Sequence, residues 1–222
     1  ELTSLCNELT DQLNALSDSL DRDSDGLADM GKDLQDRARA AMFSLGTTYP
    51  ELSGYYPQPK GLLFPAFLSV QNLSGIYSPF TIEANYNSAM VSYNLPFTIC
   101  HELSHLRGFM QEEEANFIGF LACVNADDTA FNYSGYLLGW IYATNELYEV
   151  DYDTFEEIYN RLSDNVKADL SANSSFWKRY DSKVAEVSGQ INDHYLKANG
   201  QSDGIKSYDR MVDLMITWFR SK

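Results

Sequence analysis

Residues 101–116 read HELSHLRGFMQEEEAN. Two histidines four positions apart share one face of an α-helix, so His101 and His105 can direct imidazole nitrogens at a single metal ion. Glu102 projects near the same face, where it can take a proton from a water molecule acidified by zinc. The chain has only three histidines, and two of them stand here. Phe97, Ile99, Leu103 and Leu106 flank the motif, which makes it a core helix with one polar face. The plain alternative is a helix whose His and Glu side chains simply meet solvent.

A catalytic zinc takes three protein ligands and leaves a fourth position open. A third histidine six residues beyond His105 would complete one known pattern, but position 111 is Gln. His194 lies far along the chain and reads as a surface histidine. Carboxylates fit better. Gly108 can end the first helix in a left-handed turn, so that a second helix beginning near Gln111 returns toward the histidines. Its Glu112, Glu113 and Glu114 differ by about 100° per step, so they cannot all face the metal. Glu112 shares a face with Asn116, which can hold a ligand histidine by its second ring nitrogen. Glu112 is therefore the preferred third ligand of a Zn2+ ion and Glu114 the alternate, with Glu113 expected in solvent.

These residues need elements to carry them. Leucines three or four apart over 2–20 predict an amphipathic helix, and a second apolar stripe from Leu27 to Leu45 completes an N-terminal helical hairpin over 1–45. Residues 46–60 read as loop. Residues 62–93 are short, aromatic-rich and broken by Pro, Gly and Asn, which predicts two or three strands of a small antiparallel sheet. Pro96 opens the motif helix, and 96–125 form the metal-site helices. Helical spacing then runs over 128–149, 153–170, 174–198 and 206–220, making 128–222 a helical C-terminal part. The expectation is a single 222-residue domain of the α+β class, mainly α with a small antiparallel sheet.

A formal net charge of −16 excludes the basic footprint of a nucleic-acid binder. Three cysteines without a CxxC pair argue for buried thiols over disulfides. No apolar run is long enough for a membrane span. Asp21, Asp23, Asp25 and Asp29 in DRDSDGLAD match the start of a calcium loop, but Lys32 stands where its bidentate Glu belongs. A polar inter-helix turn is the competing reading.

HELSH followed by a glutamate-bearing helix resembles the gluzincin class of zinc metallopeptidases, whose third ligand is a Glu heading an E-x-x-x-D pattern; here Asn116 takes the place of the Asp. LPFTICHELSHLRGFMQEEEANFIGFLAC, YSGY and YLKANGQSDGIKSYDRMVDLM together resemble an uncharacterised family of bacterial zinc-peptidase-like proteins, catalogued as a domain of unknown function. The resemblance implies a zincin-like core with an edge strand along which a peptide can lie extended. GIYSPFTIEANYN is the candidate strand, with Glu83 and Asn85 as substrate contacts. Donors for a developing oxyanion would be sought among Tyr195, Tyr208 and Arg210, or among Tyr133 and Tyr136. Family members carry N-terminal transmembrane helices, and this chain opens on Glu1, so a membrane-tethered domain on the extracytoplasmic side of a bacterial cell membrane is expected.

The expected activity is zinc-dependent hydrolysis of peptide bonds in a peptide or protein substrate, with Glu102 as general base. Two alternatives stand beside it. One is a zinc amidase acting on cell-wall peptides. The other is a catalytically silent, membrane-tethered sensor or scaffold that keeps its zinc site.

Overall fold

The leucine spacing of the first residues does form a helix. In the computed structural model, which describes residues 1–181 and 208–221, α1 (Leu2–Ser17) buries Leu5, Cys6, Leu9 and Leu13 along one stripe. The second helix starts later than its apolar pattern predicts. α2 spans Leu34–Thr48, and residues 18–33 form a tight connection in which Arg22 and Ala28 bridge antiparallel. Side-chain hydrogen bonds to the backbone compete with helix here. Asp23 Oδ1 accepts from the amides of Asp25 and Leu27, both at 2.9 Å, and Asp29 Oδ1 accepts from Gly31 N at 2.9 Å.

Among the described residues the sheet has three strands in the order β1-β3-β2. β1 (Lys60–Gly61) pairs in parallel with β3 (Glu83–Tyr86), while β2 (Gly75–Ser78) pairs antiparallel with it, Gly75 opposite Tyr86 and Ser78 opposite Glu83. The sheet is therefore mixed, correcting the antiparallel expectation. The reason lies in residues 62–70, which were expected to be extended. Pro65 heads a short helix, α3 (Ala66–Val70), and this connection brings Gly75 level with Gly61, so β2 runs back against β1 and β3, entering between them, runs parallel to β1. GIYSPFTIEANYN is accordingly two strands: β2 is the edge, and β3, which carries Glu83 and Asn85, is central.

The core is built around α4 (Asn94–His105), α5 (Glu112–Val124) and α6 (Thr129–Val150), which pack on one another. α1 lies on α6, α2 lies on α4 and α5, and the sheet lies on α4. α5 begins with three consecutive glutamates, which suits the positive end of a helix dipole. Asp128 caps α6 by accepting from Ala130 N and Phe131 N, and Arg37 of α2 grips the same carboxylate with two nitrogens at 2.7 Å. The predicted helix over 153–170 is two, α7 (Tyr152–Arg161) and α8 (Asp164–Lys178), because the Ser163 hydroxyl accepts from Val166 N and starts a new helix. α9 (Tyr208–Arg220) packs on α5 and α6. All three cysteines are buried and free. Among the described residues no helix is long and apolar enough to cross a membrane.

Candidate metal centre

α4 delivers the HELSH residues and then stops. Arg107 N and Gly108 N donate to Ser104 O and His105 O at 2.9 and 3.0 Å, and Gly108 turns the chain at φ 92°. That conformation favours glycine and lets α5 begin three residues after Phe109. The turn also orients a side chain. His105 Nδ1 lies 2.7 Å from the carbonyl oxygen of Phe109. A carbonyl only accepts, so Nδ1 carries the proton and Nε2 presents a lone pair.

Glu112 lies within reach of both histidines. Its Oε2 is 3.2 Å from His101 Nε2, and its Oε1 is 3.9 Å from His105 Nε2. The imidazole rings stand nearly perpendicular, 4.8 Å between centroids. One nitrogen from each histidine and one Glu112 oxygen all lie within 4.8 Å of one another, the sole such grouping of metal-ligating side chains among the described residues. Donor atoms held about 2.0–2.1 Å from a tetrahedral zinc sit roughly 3.3 Å apart. Small rotamer changes would therefore suffice, and two imidazoles plus a carboxylate are donors that suit zinc.

Glu114 is exposed and lies outside the grouping, leaving Glu112 as the carboxylate that faces the histidines. Glu113, expected in solvent, is instead buried, and Arg210 of α9 donates to its Oε1 at 3.1 Å. Glu102 Oε1 is 4.0 Å from His101 Nε2. Among the described residues its other oxygen is buried without a hydrogen-bond partner, and so are His101 Nδ1 and Asn116 Nδ2. Asn116 is close enough to favour the charged form of His101. No hydrogen bond closes between the two in this geometry, so its contact with His101 is weaker than the Phe109 carbonyl's with His105.

The electrostatics follow from burial and crowding. Burial alone would lower His101, but the hydrogen bond and charge of Glu112, helped by Glu102, lift it to about 9. Burial and the neighbouring His101 push His105 down to about 4. Glu102 is pushed up to about 8, chiefly by burial and against the pull of His101. Glu112 is raised by burial but brought below the ordinary carboxylate range by His101. At neutral pH these shifts favour a charged His101 against an ionised Glu112, a neutral His105 and a protonated Glu102.

β2 closes one side. A side chain at Gly75 would place its Cβ 2.3 Å from Glu102 Oε1, so the strand can run this close to the carboxylate only with glycine there. The Tyr77 ring centroid is 5.8 Å from that of His105. Neither Gly75 nor Tyr77 was singled out from sequence. Their signal is weak, since alternation along a four-residue strand tells which side chains turn inward but not what they meet. The Phe109 carbonyl left no signal at all, because a backbone acceptor is independent of residue type.

The remaining candidates fall elsewhere. Glu83 pairs with Lys60 and accepts from Thr81, which hold it below the ordinary range. Asn85 Nδ2 donates within the sheet, to Ile76 O and Glu83 O. Tyr133 donates to Asp169 at 2.6 Å. Tyr136 lines a 560 Å³ cavity between α1, α6 and α9. Tyr208 opens α9, while Tyr195 and His194 lie outside the described residues. Asp21, Asp23, Asp25 and Asp29 do not gather into a metal-ligating group.

The fold is mainly helical and of the α+β class, and it carries a partly buried His–His–Glu grouping. The chain belongs to the family DUF3810, described as a protein of unknown function, whose profile matches residues 1–216. Comparison with curated proteins and with solved structures finds no match.

Proposed function

We propose that the protein is a zinc-dependent peptidase of gluzincin type with a zincin-like core, tethered to a bacterial membrane on its extracytoplasmic side. The observation that carries this reading is the convergence of His101, His105 and Glu112 with the unpaired carboxyl of Glu102 beside them. A zinc ion bound there would acidify water and polarise a substrate carbonyl. His101, His105 and Glu112 would hold it. Glu102 is buried and raised to about 8 without a metal; a bound cation beside it would favour its ionised form, which could then accept a proton from water and deliver it to the leaving amine. Among the described residues the outer edge of β2 has no strand partner, and its main-chain groups can align an extended peptide beside Glu102.

The test combines metal analysis with cleavage of a peptide library. The wild type should hold stoichiometric zinc and cleave, while Glu102→Gln should hold zinc and fail to cleave. Full zinc occupancy without cleavage of the peptide library or of peptidoglycan fragments would favour the silent scaffold. Cleavage of the fragments alone would favour the amidase.

A further inference from the structure

The sheet and its connections carry apolar side chains that the fold leaves in water. Phe80 is 97% exposed, Leu63 91%, Phe64 80% and Phe67 67%, with Ile76 and Ile82 also exposed. All of them lie between Gly61 and Ile82, a stretch without a single Asp, Glu, Lys, Arg or His, although 22% of the chain is charged. Monomeric soluble proteins rarely concentrate exposed apolar surface this way without an interaction to serve. Ile82 adds a second sign. It is β-branched, yet it sits at φ 55°, a conformation that disfavours such residues. Folding alone would favour glycine or asparagine there.

We infer that residues 61–82 dock on the surface of a lipid bilayer, with the phenylalanines and Leu63 entering the boundary between headgroups and acyl chains. Three features favour lipid over protein. Most of these side chains belong to short connections, and Phe80, Leu63 and Phe64 are at least four-fifths exposed, so they protrude instead of lining a groove; a bilayer accepts such tips without a matched surface. A second copy would bring one chain of net charge −16 against another. The segment also carries no charge whose desolvation would oppose insertion. Lacking Lys and Arg, it has nothing to engage anionic headgroups, so zwitterionic lipid is the fitting partner. The same lobe brings Gly75 against Glu102 and Tyr77 beside His105, so the docked chain would hold its His–Glu grouping close to the bilayer. The docking does not depend on the metal reading.

Flotation of the 222-residue chain with phosphatidylcholine vesicles tests this. The wild type should float with the vesicles, and equally so when salt is raised to about 1 M, because no charge pairing is involved. Phe64→Ser/Phe67→Ser/Phe80→Ser should cut partitioning by roughly tenfold or more. Phe80→Ser alone, at a nearly fully exposed site, should weaken it with an unchanged melting temperature. Tyr152→Ser, an exposed aromatic on α7, should leave it unchanged. Absence of wild-type flotation, equal flotation of the triple variant, suppression by salt, or equal loss with Tyr152→Ser would each overturn the inference. A phenylalanine-dependent dimer in sedimentation velocity, without flotation, would overturn it in favour of a second copy.

Discussion

His105 Nδ1 donates to the Phe109 carbonyl across the turn that joins α4 to α5, 2.7 Å apart. The bond links the path of the chain to the direction of a nitrogen. Gly108, at φ 92°, makes the turn, the turn places the carbonyl, and the carbonyl fixes which imidazole nitrogen is free. Gly108→Ala has open space for its methyl group, so only the backbone would object. We expect a loss of roughly 1–2 kcal/mol of stability from the left-handed conformation. Zinc affinity should also fall, by about 10–100-fold as with other disturbed supports of ligand histidines. Chemical denaturation and competitive zinc titration would measure the two; unaltered affinity would separate the turn from the site.

Glu112 and Glu114, two positions apart in the first turn of α5, point to nearly opposite sides of the helix. Glu112 faces both histidines, whereas Glu114 is exposed. Glu112→Ala should abolish stoichiometric zinc, and Glu114→Ala should leave it intact within about 0.5 kcal/mol of stability. Elemental analysis of the two purified variants decides between them, and zinc retained by Glu112→Ala would reject the ligand set.

Metal binding should release a proton. His101 holds its proton up to about 9 because Glu112 lies against it, while His105 is already neutral above about 4. A ligand must give up its proton to bind. Zinc affinity should therefore rise about tenfold per pH unit between pH 7 and 9 and level off above that. Calorimetry in buffers of differing ionisation enthalpy should count close to one proton released per zinc at neutral pH. A count near zero would mean that His101 is not protonated in the metal-free protein.

The strands, helices and site residues differed in how far sequence could reach them. His101, Glu102 and His105 were legible because helical spacing alone brings them together, and the i,i+4 relation of Glu112 to Asn116 singled out, by face, the carboxylate that lies against both histidines. The predicted partner role of Asn116 fared less well, since a shared face does not close a hydrogen bond. Glu113 was misread because its Arg210 partner lies on α9, far along the chain, and local pattern carries no information about such a pairing. The mixed sheet escaped for a similar reason. β1 is two residues long in a Pro- and Gly-rich stretch, and only its long-range partner β3 makes it a strand. Asp23 and Asp29 accept from nearby amides, which fits the polar inter-helix turn read beside the calcium loop.

Glu102 should impose a pH dependence on the metal-free protein. Its carboxyl is raised from 4.5 to about 8, chiefly by burial. The unfolded chain ionises first, so the contribution is fully present below pH 4.5 and is lost as pH rises through 8. His101, raised from 6.5 to about 9, loses its contribution in the same direction as pH rises. Glu102→Gln removes the first of these, and the fall in stability between pH 5 and 8 should become shallower by up to about 1.4 kcal/mol per pH unit. Urea denaturation of wild type and variant across that range provides the comparison; parallel curves would place Glu102 in a wetter environment than its burial indicates.

The largest stability effect away from the metal centre is expected at Asp169. This carboxylate is fully buried on α8 and accepts from three directions: Ala28 N at 2.9 Å, Arg22 at 2.8 Å and Tyr133 at 2.6 Å. It thereby fastens the 18–33 connection and α6 to α8. Removing one member of a buried ionic cluster leaves the others desolvated and unpaired, at a cost of about 3–5 kcal/mol for Asp169→Ala. Tyr133→Phe deletes one hydrogen bond and should cost about 1 kcal/mol. Because Tyr133 bonds to the very carboxylate that Asp169→Ala removes, the double variant should be less destabilised than the sum of the single effects. The midpoint of urea denaturation should shift with an unchanged slope. The zinc content of the folded fraction should stay the same, because none of the four residues reaches the ligands. Additive losses in the double variant would show that Tyr133 and Asp169 contribute independently.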